Sequence, residues 1–200
     1  NFIDGCNTLV VGYYLFIIII LFKLKILNII FLDSNSIFFL FSILLGLFFL
    51  NLNQKLFLGD SGVYVLSFVS GIFLIEIYKS NLLISPYFIC NLLWYPAFEV
   101  FFSILRKLNI SFSVISPDTK HLHQLLYFFL SKKIKKFKPN TINGLTANII
   151  NAYNLCMLFL ASSDVANTKY QFFFLIFSIV VYCSFYFKLY QFRFEKYQNK

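Results

Sequence analysis

The run LVVGYYLFIIIILFKLKIL, residues 9–27, decides what kind of fold this chain can have. No charge interrupts it before Lys23, and its length approaches the ~20 residues that an α-helix needs to cross a bilayer. Lys23 and Lys25 stand near its end, where their alkyl stems can stay in hydrocarbon while the ammonium groups reach the headgroups. Outward from it, similar runs recur over 37–52, 63–78, 82–103, 144–162 and 170–190. The fourth run carries Pro86 and Pro96, which membrane helices tolerate better than soluble ones. The chain is 60% hydrophobic and 12% charged, whereas soluble domains are about 45–50% apolar and about 25% charged. The sequence therefore predicts an all-α, polytopic transmembrane helical bundle of about six spans, in one integral-membrane domain over residues 1–200. Cys6, Cys90, Cys156 and Cys183 are scattered without a CxxC pair and read as apolar fillers. The chain opens at Asn1 without a start Met, a charged leader or a cleavage site. It is expected to be a fragment whose N-terminal part is missing.

Six spans leave the connections 1–8, 53–62, 104–143 and 191–200 on one side. That side receives Lys55, Arg106, Lys107, Lys120, the basic run Lys132–Lys138, Lys188, Arg193, Lys196 and Lys200. The opposite side receives Lys23, Lys25, Lys79 and Lys169. Basic residues concentrate on the cytoplasmic side of membrane proteins, so the first side is expected to be cytoplasmic. Asp4, Asp60, Asp118, His121 and His123 all fall there, while Asp33, Glu76 and Asp164 fall on the other side. Carboxylates and imidazoles gathered on one face, at the ends of packed helices, are what a membrane-surface active site would need.

The polar loops carry the chemistry. Phe57-Leu58-Gly59-Asp60-Ser61-Gly62 places a carboxylate between two glycines at the mouth of two apolar runs. An ionised group there has to be hydrated, paired or bound to a cation, although the same string also suits a plain turn. Asn1-x-x-Asp4-Gly5 is equally a helix-capping and turn pattern. Glu99, Ser103 and Arg106 fall on one helix face, and the structural reading is a buried Glu–Arg pair stapling helices. His121 and His123 point the same way only if the segment is extended or turning. They lack further ligands at zinc spacing, but with Lys120 they offer donors to an anionic ligand. The basic run suits attraction to anionic lipid, and a nucleic-acid partner is not expected.

Taken in order, Asn1-x-x-Asp4-Gly5, Phe57-Leu58-Gly59-Asp60-Ser61-Gly62, Pro96-x-x-Glu99-x-x-x-Ser103-x-x-Arg106 and Pro117-Asp118-x-x-His121-Leu122-His123 resemble the polyprenyl-phosphate N-acetylhexosamine-1-phosphate transferases. The resemblance covers nearly the whole chain, as the family's C-terminal portion. It implies transfer of a sugar-1-phosphate from a UDP-N-acetylhexosamine to undecaprenyl phosphate, giving undecaprenyl-diphosphate-sugar and UMP, with Mg²⁺ or Mn²⁺. It further implies a multi-pass protein of the bacterial inner membrane with its site facing the cytoplasm, and a homodimeric habit. Carried over by position, Asp60 binds the metal, and Asp4, Asp60, His121 and His123 are catalytic. Asn1, Gly5, Asn7, Lys55, Phe57, Arg106, Asp118 and Lys120 contact substrate. Within the family the His-Leu-His loop and Pro-x-x-Glu segment resemble the glycan-initiating (O-antigen type) branch more than the lipid I synthase branch.

The chain departs from the family in four places. Asn7 stands for a second aspartate, Thr119 for an arginine and Gln124 for a third histidine, and Asn51-Leu52-Asn53-Gln54 replaces an Asn-Pro-Ala segment. The family's paired aspartates of the first cytoplasmic loop are not in this chain, so the fragment alone is expected to be inactive. Two other classes compete: an ion-coupled transporter or channel lined by Asp4, Asp60 and Glu99, and a non-catalytic membrane scaffold. Transporters set ionisable groups near the midplane, often in paired repeats. Here the acids sit at span ends, and no repeat is visible.

Overall fold

In a computed structural model, which describes residues 5–108 and 120–195, helix α1 (Leu9–Ile26) stands at the centre. It is apolar all round, and residues on every face of it are buried, from Leu9 and Val11 to Leu21 and Leu24. A helix with no polar face must be enclosed by others or by lipid. Around it run α2 (Ser34–Leu52), α3 (Gly59–Ser80), α4 (Pro86–Leu108), α5 (Leu122–Lys133), α6 (Pro139–Ala161) and α7 (Thr168–Phe194). Among the described residues there is no strand. Six of the helices are long and apolar enough to cross a membrane, and α5, at 12 residues, is not.

The six expected spans are all present, with shifted ends. Helix α2 starts three residues before its apolar run, because the Asp33 carboxylate caps it by accepting from the Ser36 backbone N–H at 2.8 Å. That capping also holds the Asp33 carboxyl below the usual carboxylate range. Helix α3 starts at Gly59, so Asp60 lies in a first helical turn rather than in a loop. Helix α4 starts at Pro86, and the Leu82-Leu83 pair before it is exposed turn rather than span. Helix α6 starts at Pro139, five residues early; proline suits the first helical position, where its missing N–H costs nothing. The stretch 104–143 is no simple loop, since it contains all of α5.

Packing follows from a few polar and aromatic choices. Pro96, inside α4, has no N–H to give the Leu92 carbonyl one turn back. The Tyr13 hydroxyl of α1 donates to that carbonyl instead, at 3.0 Å, which satisfies two buried groups and ties α1 to α4. Gly12 lets α6 come close: a Cβ there would stand 2.4 Å from Asn151 Nδ2. Helices α4 and α7 interlock through rings, with Phe98–Tyr182 at 5.1 Å and Phe102–Tyr186 at 4.8 Å between centroids. Such pairs add about 0.5–1.5 kcal/mol beyond area burial. In lipid, where apolar surface alone does not drive helices together, close packing and hydrogen bonds decide the arrangement. Helices α2 and α3 keep wide apolar faces outward, among them Phe39, Phe49, Phe68 and Ile75.

Candidate active site

The two ends of the bundle are chemically different. At one end α1, α2, α3, α4, α6 and α7 meet through short polar links: Lys23 Nζ donates to Ser162 Oγ at 2.8 Å, and Asn81 Oδ1 accepts from the Phe31 N–H at 2.6 Å. The Ser85 N–H donates to the Val165 carbonyl at 2.9 Å. These are structural clasps.

The other end gathers the segments before α1, after α2, before α5 and before α6. Thr8 has φ 69°, a left-handed conformation that costs a non-glycine residue about 1–3 kcal/mol. Two amides hold it there. Its N–H donates to Asn51 Oδ1, and its carbonyl accepts from Asn151 Nδ2 at 3.0 Å. Asn51 Nδ2 donates onward to the Leu56 carbonyl at 2.8 Å. The Asn7 N–H donates to Asn143 Oδ1 at 2.7 Å, and Asn140 Nδ2 to Gln54 Oε1 at 3.0 Å. Residues 5–8, 51–56 and 140–143 are therefore one polar platform.

Beside the platform lies a buried carboxylate. Glu99 of α4 is 1% exposed. Its Oε1 accepts from the Leu122 N–H at 3.3 Å and stands 3.0 Å from His121 Nδ1, and its Oε2 accepts from the Tyr182 hydroxyl of α7. Leu122 opens α5, so its N–H has no intrahelical acceptor; Glu99 supplies one at the helix end that favours negative charge. Uncompensated burial of a carboxylate costs several kcal/mol, and these three contacts offset it. The structure thus corrects the Glu99–Arg106 staple: Glu99 turns to α5 and α7, while Arg106 donates to the Tyr186 hydroxyl at 2.9 Å and leans on Ser103 at 3.5 Å. Helix periodicity puts Glu99 and Arg106 on one face, but two turns apart, and each finds a nearer partner.

The two histidines do point the same way. The chain passes from extended backbone at His121 (ψ 150°) into α5, and the rings lie parallel, 5.7 Å apart with 3° between planes. His123 is 3% exposed and abuts the platform so closely that a Cβ on Gly5 would sit 2.1 Å from its Nε2. Its Nδ1 is buried without a hydrogen-bond partner. Burial pushes the His123 imidazole down to about 4, against the opposing pull of Glu99 and with a smaller push from His121. His123 is therefore neutral at pH 7.

That burial has a measurable consequence. Above pH 6.5 His123 is neutral folded and unfolded, and it adds no pH dependence. Between pH 6.5 and 4 the unfolded chain takes up a proton that the folded chain refuses, so stability falls as pH falls. The loss levels off below pH 4 at about 3 kcal/mol, at 1.36 kcal/mol per pH unit. Thermal unfolding of detergent-solubilised protein at pH 7 and pH 4.5 checks this. The drop is expected to shrink in His123→Gln, and an equal drop in that variant contradicts it.

The structure brings the other sequence-predicted residues together only in part. Gly5, His121 and His123 form one group, and Asn7 joins the adjoining platform. Arg106 and Lys120 lie along α7, with Lys120 Nζ 5.5 Å from the Phe194 ring centre. Lys55, Phe57 and Asp60 form a separate exposed group on the α2–α3 connection; Phe57 is 70% exposed. Asn1, Asp4 and Asp118 lie outside the described residues. Sequence reasoning missed Tyr182, Asn51, Asn143 and Asn151. Nothing in an Asn-rich, Tyr-rich chain marks these from their neighbours.

As for a cation, no three His, Cys, Asp or Glu side chains converge among the described residues. Glu99 is consumed by protein donors. Asp60 offers an exposed hard-oxygen ligand at the platform end, which fits Mg²⁺, an ion usually held by one or two carboxylates together with water and substrate phosphate.

No family model and no solved structure matches the chain. Curated proteins similar to it include two bacterial enzymes. One, from Bacillus subtilis (strain 168), is a probable undecaprenyl-phosphate N-acetylglucosaminyl 1-phosphate transferase, 33% identical over 93 residues. That match covers 45% of this chain and 26% of the relative. The other, from Thermotoga maritima, is an undecaprenyl-phosphate alpha-N-acetylglucosaminyl 1-phosphate transferase, 30% identical over 131 residues, covering 66% of this chain and 38% of the relative. The chain thus spans well under half the length of either.

Proposed function

We propose a function from the premise that this chain belongs to the polyprenyl-phosphate N-acetylhexosamine-1-phosphate transferase family, as its similarity to these two relatives shows. In the full-length protein, it serves transfer of an N-acetylhexosamine-1-phosphate from a UDP-sugar to undecaprenyl phosphate. An acceptor phosphate oxygen attacks the sugar-bearing phosphorus, the bond to the uridylyl phosphate breaks, and UMP leaves. N-acetylglucosamine is the donor sugar we favour, and initiation of a cell-envelope glycan the role. The platform end faces the cytoplasm of a bacterial inner membrane, since the basic residues collect there.

The observation that carries this reading is the parallel His121–His123 pair, anchored by buried Glu99 and closed by Gly5. The acceptor phosphate is anionic at neutral pH, so the site needs positioning and charge stabilisation more than a strong base. A neutral His123 suits that: it can accept or donate one hydrogen bond without adding charge beside Glu99. Arg106 and Lys120 supply fixed positive charge nearby. Mg²⁺ held by Asp60 would neutralise charge developing on the diphosphate. A transporter is the weaker reading, because the carboxylate buried in a span, Glu99, is occupied by three protein partners.

The test uses full-length protein in detergent with UDP-N-acetylhexosamines, undecaprenyl phosphate and Mg²⁺. UMP release is expected to require both substrates, to stop with EDTA and to return with added Mg²⁺. Release that continues without the lipid acceptor or in excess EDTA contradicts the assignment.

A further inference from the structure

We propose that Glu99 and Tyr182 are positioning residues which, from two different spanning helices, fix the tautomer and ring plane of His121 and through it the placement of His123. This rests on the reading of the histidine pair as part of the transfer site.

The assignment of protons follows from what each partner can do. A backbone N–H only donates, so Oε1 of Glu99 is an acceptor toward Leu122. The Tyr182 hydroxyl donates to Oε2. With Oε1 and Oε2 both accepting, Glu99 presents acceptor oxygens toward the His121 ring. His121 Nδ1, 3.0 Å from the same Oε1, must then carry the hydrogen. The proton on Nδ1 is thus set by Glu99, and with it the tautomer of His121.

The same bonds fix position. Glu99 holds both the His121 ring and the first N–H of α5, so ring and helix start move as a unit. The His123 ring lies parallel to the His121 ring and is closed on another side by Gly5. Tyr182 itself is wedged among Trp94, Tyr95, Phe98 and Phe102 of α4, with centroid distances of 5.1 to 6.4 Å. Its hydroxyl is therefore aimed by the packing of the bundle. The spanning helices transmit their geometry to the surface histidines through one carboxylate.

Full-length protein with ¹⁵N-labelled histidine tests the idea, together with Glu99→Gln and Tyr182→Phe. In the wild type, Nδ1 of His121 is expected to show the chemical shift of a protonated nitrogen at pH 7; an unprotonated Nδ1 overturns the proposal. Glu99→Gln keeps the shape, but the new amide must either point an N–H at Nδ1, which forces the other tautomer, or turn the Tyr182 proton away inside a dry site. We expect kcat for UMP release to fall about 10–100-fold, the usual cost of removing an outer support of this kind. KM for the UDP-sugar is expected to stay within about threefold, because ground-state binding is untouched. Tyr182→Phe leaves Glu99 in place and is expected to lower kcat by severalfold with the fold intact. It therefore decides the matter if Glu99→Gln does not fold. Wild-type kcat in both variants overturns the proposal. If the wild type releases no UMP at all, it is the reaction reading that fails, and the tautomer measurement still judges the relay.

Discussion

Gly5→Ala is expected to cut the turnover of the full-length protein by about 10²-fold or more while leaving the membrane bundle intact. The added Cβ would stand 2.1 Å from His123 Nε2, 2.6 Å from Cδ2 and 3.0 Å from Cε1. Carbon and nitrogen need about 3.5 Å, so the ring has to retreat by more than about 1 Å. It has nowhere cheap to go. His123 is 3% exposed, and its ring lies beside that of His121, which Glu99 holds. Misplacing a reacting group by about 1 Å is enough to cost about 10²-fold. Stability should suffer less, since Gly5 itself is exposed and the platform bonds are made by Asn7 and Thr8. The decisive comparison is Gly5→Ala against Gly5→Ala/His123→Ala. The second change removes the clash and should restore the melting temperature but not kcat. A single variant with wild-type kcat would show that His123 does not act from its place against Gly5.

Much of this arrangement is legible in the sequence alone. The spans can be read because ~20 uninterrupted apolar residues have few uses outside a bilayer. Their ends cannot, because helices continue through polar residues that apolar counting discards: Ser34 to Ser36 behind the Asp33 cap, and Pro139 to Asn143 before the fifth run. Helix α5 is hidden for a different reason. Leu122, Leu125, Leu126, Phe129 and Leu130 follow the i, i+3, i+4, i+7, i+8 pattern of an amphipathic helix. The eye for long spans passes over twelve residues flanked by His and Lys. Of the site, sequence order suffices to single out His121 and His123, but not what holds them. Glu99 is visible as an acid within a span, yet its partner lies 22 residues away, and only the fold pairs them. The amides at Asn51, Asn143 and Asn151 look like compositional bias until the platform brings them to Asn7 and Thr8.

Asp60→Ala should reduce UMP release by at least about 10³-fold, a larger effect than any change to the histidine supports. The reason is the kind of charge involved. Breaking a diphosphate bond gathers negative charge on oxygens that neutral His123 cannot offset, and a cation contributes several kcal/mol to stabilising it; about 4 kcal/mol corresponds to 10³-fold. Among the described residues the acids differ sharply in where they lie. Glu99 is saturated by protein donors, and Asp33, Glu76 and Asp164 belong to the opposite end or its approach. Asp60 and Glu195 are the exposed acids toward the platform end, and Asp60 is the one on the α2–α3 connection that Asn51 ties to the platform. Its place in the first turn of α3 suits a carboxylate, because a helix N-terminus favours negative charge by about 0.3–1 kcal/mol. That small figure separates the two roles an acid can have there. If Asp60 only starts the helix, Asp60→Asn costs a fraction of a kcal/mol in stability and leaves turnover alone. If it holds the cation, Asp60→Asn melts like the wild type, yet loses turnover, and the Mg²⁺ concentration needed for half-maximal rate rises steeply. Titrating Mg²⁺ against UMP release for wild type, Asp60→Asn and Asp60→Glu tells these apart. Glu is expected to recover part of the rate at high Mg²⁺, since it keeps the hard oxygens and changes only their reach. Unchanged turnover in Asp60→Ala removes the cation from this position and, with it, the chemistry that the α2–α3 connection is proposed to supply.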